Sequence, residues 1–107
     1  MDALTIRIVE DLKSLLKERL QDGLSDVILF GSQAIGSNSE NSDYDILIIT
    51  KNKADWKLER VISDTCYEID LKYGIITDTH ILAEDELKSI RGKQPVFFNA
   101  INHGYHV

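Results

Sequence analysis

The sequence predicts an α+β domain in which helices pack on one face of a small mixed β-sheet. Two observations indicate this class. Apolar residues recur at helical spacing in some segments, and short apolar runs bounded by polar residues or glycine lie between those segments. With 107 residues and no linker, repeat or low-complexity tract, the chain is predicted to form a single domain, residues 1–107.

The first half of the chain predicts a helix, a strand, a turn and a second strand. Residues 4–20 place leucine and isoleucine at three- and four-residue spacing, the stripe of an amphipathic helix. The apolar run 27–30 predicts a strand buried on both faces, and residues 44–50 predict a second strand. The polar stretch 31–43 predicts a short helical turn followed by a loop.

The second half predicts a helix, two strands and two short helices. Residues 54–64 predict a helix with core contacts from Trp56, Val61 and Ile62. Over residues 67–73 aromatic or aliphatic side chains alternate with charged ones, which is the period of a third strand. The remaining predicted elements are a fourth strand at 75–82 and short helices at 84–90 and 96–103.

The composition argues against several classes of protein. Eighteen acidic and twelve basic residues give a formal charge of -6, and without a basic cluster we expect no direct nucleic-acid binding. The single Cys66 cannot form an internal disulfide, and charges interrupt the apolar positions of the first twenty residues. We therefore expect a cytoplasmic protein with no membrane segment.

A pair of carboxylates marks the start of the second predicted strand. Asp43 and Asp45 are separated by one residue, and because side chains alternate along a strand, both are predicted to share one face. At that spacing, about 6–7 Å, they repel unless a cation lies between them. Asp70, in the predicted strand at 67–73, could add a third carboxylate, and three hard oxygen ligands suit Mg²⁺. An isolated Asp-x-Asp is more often a solvated strand edge, so the interpretation depends on the neighbouring residues.

The turn after the first strand supplies the other half of a candidate site. Gly31 lets a phosphate approach the backbone with no Cβ in the way, and Ser32 offers a hydroxyl and a backbone N–H. Phosphates at this turn and metal ions at the aspartates would suit metal-assisted phosphoryl or nucleotidyl transfer from a nucleoside triphosphate.

Together these residues resemble a known motif. Phe-Gly-Ser-Gln-Ala-Ile-Gly at 30–36 and Ser-Asp-Tyr-Asp-Ile at 42–46 are similar to the Gly-Ser and Asp-x-Asp motif of the minimal nucleotidyltransferases, which have the DNA polymerase beta-like nucleotidyltransferase fold. The resemblance covers nearly the whole chain and implies that fold, ATP as substrate and two Mg²⁺ ions. The residues it implies for nucleotide binding are Gly31, Ser32 and Ser42, and those for catalysis and metal binding are Asp43, Asp45 and Asp70. In that assignment Asp70 completes the catalytic-metal site and helps to deprotonate the attacking hydroxyl.

The same resemblance implies a protein partner. Minimal nucleotidyltransferases typically act with a separately encoded helical protein, so the implied function is the antitoxin of a type VII toxin–antitoxin pair. It would transfer AMP from ATP to a tyrosine of a HEPN-domain ribonuclease toxin, with which it forms a hetero-oligomer. Two alternatives stay open: a non-catalytic binding module that blocks the toxin sterically, and an aminoglycoside-like small-molecule nucleotidyltransferase subunit. The preferred nucleotide base and the oligomeric state also stay open.

Two positions depart from the family's pattern. Gln33 and Ile35 stand where many members carry arginine, so a phosphate-neutralising contact is missing and retention of catalysis stays open. Lys51 and Lys53 are the candidates to replace it.

For the phenylalanines near the C-terminus, the histidines and the cysteine, the sequence predicts packing, surface or interface roles and no catalytic role. Phe97 and Phe98 cannot both face one core, so we expect one of them either at a partner interface or covered by the sheet. The three histidines lack metal-ligand spacing with Cys66 and are expected to pack or to lie at the surface, and Cys66 is expected to be buried. These histidines are His80, His103 and His106.

Overall fold

The computed structural model describes residues 1–35, 43–89 and 93–107. In these parts of the chain four strands form one mixed sheet in the order β3-β2-β1-β4. The strands are β1 (Leu24–Phe30), β2 (Tyr44–Thr50), β3 (Thr77–Ala83) and β4 (Tyr105–His106). β1 lies antiparallel to both β2 and β4, whereas β2 and β3 are parallel. The predicted α+β class with a small mixed sheet is confirmed.

The described α-helices are α1 (Ala3–Leu20), α2 (Ser32–Ile35), α3 (Trp56–Tyr73) and α4 (Pro95–His103). Aspartate side chains cap the starts of the two long helices, α1 and α3. The side chain of Asp2 accepts a hydrogen bond from the Thr5 N–H at the start of α1, and Asp55 accepts one from Leu58 at the start of α3. Gly74 ends α3 in the left-handed conformation. No helix in the described ranges is long and apolar enough to cross a membrane.

One face of the sheet is covered by α1 and α3. The buried side chains on this side come from both helices and from β1 and β2: Ile8, Val9, Leu12, Leu16, Val27, Leu29, Ile46, Ile48, Ile62, Cys66 and Ile69. Cys66 is buried as expected, and this burial raises the pKa of its thiol.

The opposite face is covered by α4. Its core consists of Ile28, Leu47, Ile49, Leu82, Phe97 and Ala100. The prediction of helices on one face describes α1 and α3, and α4 adds a second, smaller layer. Of the two phenylalanines, Phe97 is buried in this layer and Phe98 is 53% exposed.

The predicted strand over 67–73 is wrong, because α3 continues unbroken to Tyr73. The buried side chains Ile62, Cys66 and Ile69 recur at helical spacing, whereas Tyr67 and Leu71 are exposed. Two exposed apolar residues on either side of a buried one imitate the alternation of a strand. Trp56 and Val61, predicted as core contacts, are exposed as well.

The C-terminal elements agree in part with the predictions. The predicted strand at 75–82 is β3, and the predicted helix at 96–103 is α4. The predicted helix at 84–90 is observed as a short 3-10 turn, Glu84–Glu86, and residue 90 lies outside the described ranges. β4 has only two residues, too few to produce a sequence pattern.

Candidate active site

The alternation of side chains along β2 decides on which face the carboxylates lie. Ile46 packs beneath α1 and α3, whereas Leu47 packs beneath α4. Asp45 therefore lies on the α4 face, and Asp43 precedes the strand by one residue, two positions from Asp45. The charge of Asp43 acts on the carboxyl of Asp45 and also on that of Asp70 in α3.

The register of the sheet brings a further carboxylate beside Asp45. β3 runs parallel to β2 with Asp78 opposite Asp45. Partial burial and the negative charge of Asp78 raise the pKa of Asp45, and the charge of Asp43 raises it further. This edge of the sheet therefore concentrates negative charge that a cation would offset.

Gly31 and Asp45 occupy neighbouring space at the end of β1. The backbone of Gly31 is left-handed, with φ of 76°, which favours glycine. A Cβ at this position would also overlap the Asp45 carboxylate. Gly31 is thus required both for the turn and for the close approach of the catalytic candidate Asp45.

His80 lies on the same face as the carboxylates. Its ring packs between Phe30 and Phe97, with centroid distances of 5.9 and 6.1 Å. Its Nε2 lies 3.7 Å from Oδ2 of Asp78. The expected packing role is therefore correct, and the same packing places an imidazole beside the acidic pair.

The predicted position of Asp70 in a strand is wrong, because Asp70 belongs to α3, although, besides partial burial, the charge of Asp43 still contributes to the raised pKa of its carboxyl. Its Oδ1 accepts a hydrogen bond from the Thr77 N–H at 3.0 Å, so it holds the start of β3. Thr79 contacts Cys66 of α3, and alternation puts Asp78 on the other face of the sheet. Partial burial is the main cause that raises the pKa of Asp70.

Asp78 is the candidate residue that the sequence reasoning missed. It lies inside the segment 75–82, which the sequence predicts as a strand, and its signal is a single acid flanked by the β-branched residues Thr77 and Thr79. Residues 67–73 show a strand-like alternation too, so the sequence pattern places the third carboxylate at Asp70 instead.

The predicted nucleotide-binding residues are described in part. Gly31 and Ser32 follow β1 directly and lie at the same end of the sheet as Asp45, whereas Ser42 lies outside the described residues. Gln33 is only 4% exposed, so its side chain packs inside the protein. For Ile35 the structure describes the backbone alone.

Lys51 does not replace the missing arginine at this end of the sheet, whereas Lys53 lines a cavity together with His80 and Phe97. Lys51 follows the last residue of β2 and lies six residues, about 20 Å, from Asp45. Its ammonium lies 3.4 Å from Glu84 at the opposite end of the strand.

The donor set fits a divalent cation that is shared with substrate phosphates. Mg²⁺ is commonly held by one or two carboxylates together with phosphate oxygens and waters. Asp45 and Asp78 supply such a pair, and the negative charge gathered around Asp45 favours a cation there. Within the described ranges no three His, Cys, Asp or Glu side chains form a complete metal cluster. Substrate oxygens would therefore have to complete the coordination.

Comparisons of sequence give a consistent group of relatives. The profile of the family described as "Nucleotidyltransferase domain" matches residues 7–97. A protein of Methanocaldococcus jannaschii named "Putative protein adenylyltransferase" is 32% identical over 102 residues, which are 94% of this chain and 68% of the relative. A second protein of the same name from that organism is 28% identical, over 94% of this chain and 85% of the relative.

Comparisons of structure give the same fold at low sequence identity. The spectinomycin adenyltransferase AAD(9) from Enterococcus faecialis, solved with ATP and spectinomycin, superposes with a TM-score of 0.65 and 19% identity. The match covers 78% of this chain but only 36% of that enzyme. A toxin–antitoxin structure with AMP-PNP gives a TM-score of 0.58 and 19% identity, over 91% of this chain and 70% of that one. A mutant of the toxin–antitoxin MntA-HpeT superposes with a TM-score of 0.56 and 16% identity. The match covers 95% of this chain and 70% of that one.

Proposed function

The chain belongs to the nucleotidyltransferase domain family and is an enzyme of that class, and from this premise we propose that it transfers AMP from ATP to a hydroxyl of a partner protein. The observation that carries the proposal is the grouping of Gly31, Asp45 and Asp78 on one face at one end of the sheet. A turn open to phosphates beside paired carboxylates is the arrangement that nucleotidyl transfer needs.

The proposed site keeps most of the residues predicted from the sequence. Gly31, Ser32 and Ser42 would hold the triphosphate, and Asp43 and Asp45 would hold two Mg²⁺ ions. We assign the third carboxylate to Asp78 and give Asp70 a positioning role at Thr77, because Asp78 is the acid beside Asp45. Bound Mg²⁺ would neutralise phosphate charge and polarise the α-phosphate.

The chemical step is an in-line displacement. The acceptor oxygen forms a bond to the α-phosphorus while the bond from that phosphorus to the bridging oxygen breaks, and pyrophosphate leaves. The carboxylate of Asp78 accepts the hydroxyl proton. Its side chain is 54% exposed, so an acceptor can approach it from solvent.

The proposed acceptor is a tyrosine of a HEPN-domain ribonuclease toxin, which the chain would neutralise as a cytoplasmic antitoxin in a hetero-oligomer. Support comes from the relatives named protein adenylyltransferases and from the toxin–antitoxin complexes that share the fold. Exposed Phe98, Trp56 and Tyr67 provide apolar surface for a protein partner.

A transfer assay tests the proposal. The protein, the product of the adjacent gene, Mg²⁺ and ATP labelled at the α-phosphate are incubated together, and label on the partner is mapped by mass spectrometry. We expect Asp45→Asn and Asp78→Asn to reduce transfer at least about 100-fold, the size of a lost electrostatic contact in catalysis. Asp64→Asn, a change at an exposed site of α3, is the matched control and should leave transfer unchanged.

Three results would contradict parts of the proposal. No labelled partner with wild-type protein would exclude protein adenylylation, and transfer to an aminoglycoside-like molecule instead would favour the small-molecule alternative. Toxin inhibition that survives Asp45→Asn would favour the steric binding module. If Asp70→Asn abolishes transfer while Asp78→Asn does not, the third carboxylate is Asp70.

A further inference from the structure

A cavity of about 320 Å³ opens between α2 and α4, next to the candidate active site. Its lining residues are Phe30, Gly31, Ala34, Val96, Asn99 and His103. Gly31 borders this cavity and also contacts the region of the Asp45 carboxylate. A molecule whose phosphates lie at Gly31 and Asp45 therefore has this cavity as an immediate neighbour.

One side of α4 forms a wall of the cavity. Val96, Asn99 and His103 are spaced by three and four residues, so they lie along one side of the helix, whereas Phe97 and Ala100 are buried against the sheet. The wall thus combines an apolar side chain with a carboxamide and an imidazole. None of the lining residues carries a carboxylate, in contrast with the acidic pair nearby.

The shape and chemistry of this cavity fit a flat heteroaromatic group. Its volume lies at the lower end of the range for small-molecule sites, about 300–1,000 Å³. Phe30, Ala34 and Val96 offer apolar surface to the ring faces. The Asn99 carboxamide presents one donor and one acceptor side by side, which matches the amino group and ring nitrogen of adenine. Guanine presents two acceptors at the corresponding edge, and a carboxamide cannot donate to both in that geometry.

We propose that the cavity between α2 and α4 binds the base of the nucleotide, and that Asn99 selects adenine over guanine. The inference rests on the proposed nucleotidyl transfer and adds the base specificity, which the sequence left open. The rival occupant is the aromatic ring of the acceptor. Its hydroxyl must point to the α-phosphate and the carboxylates, so a phenol ring in the cavity would not use the donor and acceptor of the exposed Asn99 carboxamide.

The test measures binding by calorimetry in the presence of Mg²⁺, with ATP, GTP and tripolyphosphate as probes. Asn99→Leu removes the donor and acceptor, and Val96→Trp fills the cavity from the same helix. Asn102→Leu is the matched control, because Asn102 donates to the Phe98 carbonyl oxygen at 2.8 Å and does not line the cavity. Tripolyphosphate, which has no base, reports whether each variant is folded and keeps its phosphate site.

We expect wild-type protein to bind ATP more tightly than GTP. Asn99→Leu should weaken ATP binding about tenfold or more and remove the preference, as expected for the loss of a two-point contact to a base. Val96→Trp should weaken binding of both nucleotides, and tripolyphosphate should bind both variants like wild type. Asn102→Leu should bind every probe like wild type.

The contrary outcomes separate this inference from the proposed function. If ATP and tripolyphosphate bind but Asn99→Leu keeps the ATP preference, the base site is wrong and nucleotidyl transfer stands. If Asn99→Leu binds ATP normally and raises only the KM for the acceptor protein, the cavity holds the acceptor. If wild-type protein binds neither ATP nor tripolyphosphate, the proposed function itself fails.

Discussion

At the scale of single residues, Asp45 has one acid two positions before it in the chain, Asp43, and another opposite it on β3, Asp78. Asp43 and Asp45 follow from a local rule, the alternation of side chains along one strand. The third acid depends on which segment pairs with β2, and no local rule chooses between Asp70 and Asp78. The register of a parallel pair is a tertiary property, set by burial of β3 beneath the helices.

The cost of the left-handed backbone at Gly31 and the cost of overlap with the Asp45 side chain can be measured separately. Gly31→Ala combines a left-handed backbone with overlap onto Asp45, so we expect at least about 1–3 kcal/mol lower unfolding free energy and loss of AMP transfer. Gly74→Ala has a similar φ of 65° but open space around its Cβ, and should cost about 1–2 kcal/mol without impairing transfer.

Gly23→Ala completes this series. Its φ is not positive and nothing lies within 4 Å of its Cβ, so stability should change by less than about 0.5 kcal/mol. Urea unfolding gives the three free energies. Equal losses for Gly31→Ala and Gly74→Ala would show that overlap with Asp45 contributes nothing.

At the scale of elements, the sequence predicts segments with one buried stripe. For α3 it predicts a helix in the first half and, wrongly, a strand in the second half. α1 and β2 could be predicted because most of their apolar residues are buried, although Leu4 at the start of α1 is exposed. In α3 the exposed Tyr67 and Leu71 hide the helical period, and the sequence alone does not tell which apolar side chains reach the core. The packing of Ile62, Cys66 and Ile69 in the core determines that this segment is a helix.

Two neighbouring substitutions distinguish the helix from the predicted strand. Ile69→Ala should lower the unfolding free energy by about 2–5 kcal/mol, because the side chain is fully buried in the core. Leu71→Ala should change it by less than about 0.5 kcal/mol, because Leu71 is 67% exposed. In a strand the two residues would share one face, so equal losses in urea unfolding would favour the strand.

At the scale of the whole molecule, one face of the sheet packs the larger apolar core and the other carries the candidate site. α1 and α3 close one face with a continuous apolar core, whereas the face under α4 carries the carboxylates, His80 and the cavity. The fold class could be predicted because the first two strands and the first helix have clear periods. The packing of α4 on the second face could not be predicted, because it brings together residues that are far apart in the chain.

The adjacent aromatics on α4 separate stability from partner binding. Phe98→Ala should weaken the complex with the partner about tenfold, as for an exposed aromatic contact at an interface, and leave stability and ATP binding unchanged. Phe97→Ala should instead cost about 3–5 kcal/mol of unfolding free energy, because Phe97 is buried. Calorimetric titration with the partner and thermal unfolding measure the two effects, and an unchanged partner affinity for Phe98→Ala would exclude this surface.

Because the Asp45 carboxylate occupies the space where a Gly31 Cβ would lie, substitutions at the two positions are expected to depend on each other in evolution. While Asp45 keeps its observed conformation, a Cβ at Gly31 overlaps its carboxylate, so any other residue there would force that carboxylate to move. Replacing Asp45 by a smaller residue removes the overlap but not the left-handed backbone, and only then can asparagine enter at Gly31 at little cost. A descendant that abandons chemistry and keeps its partner is therefore expected to lose the aspartate first and the glycine second, an order that ancestral reconstruction can read.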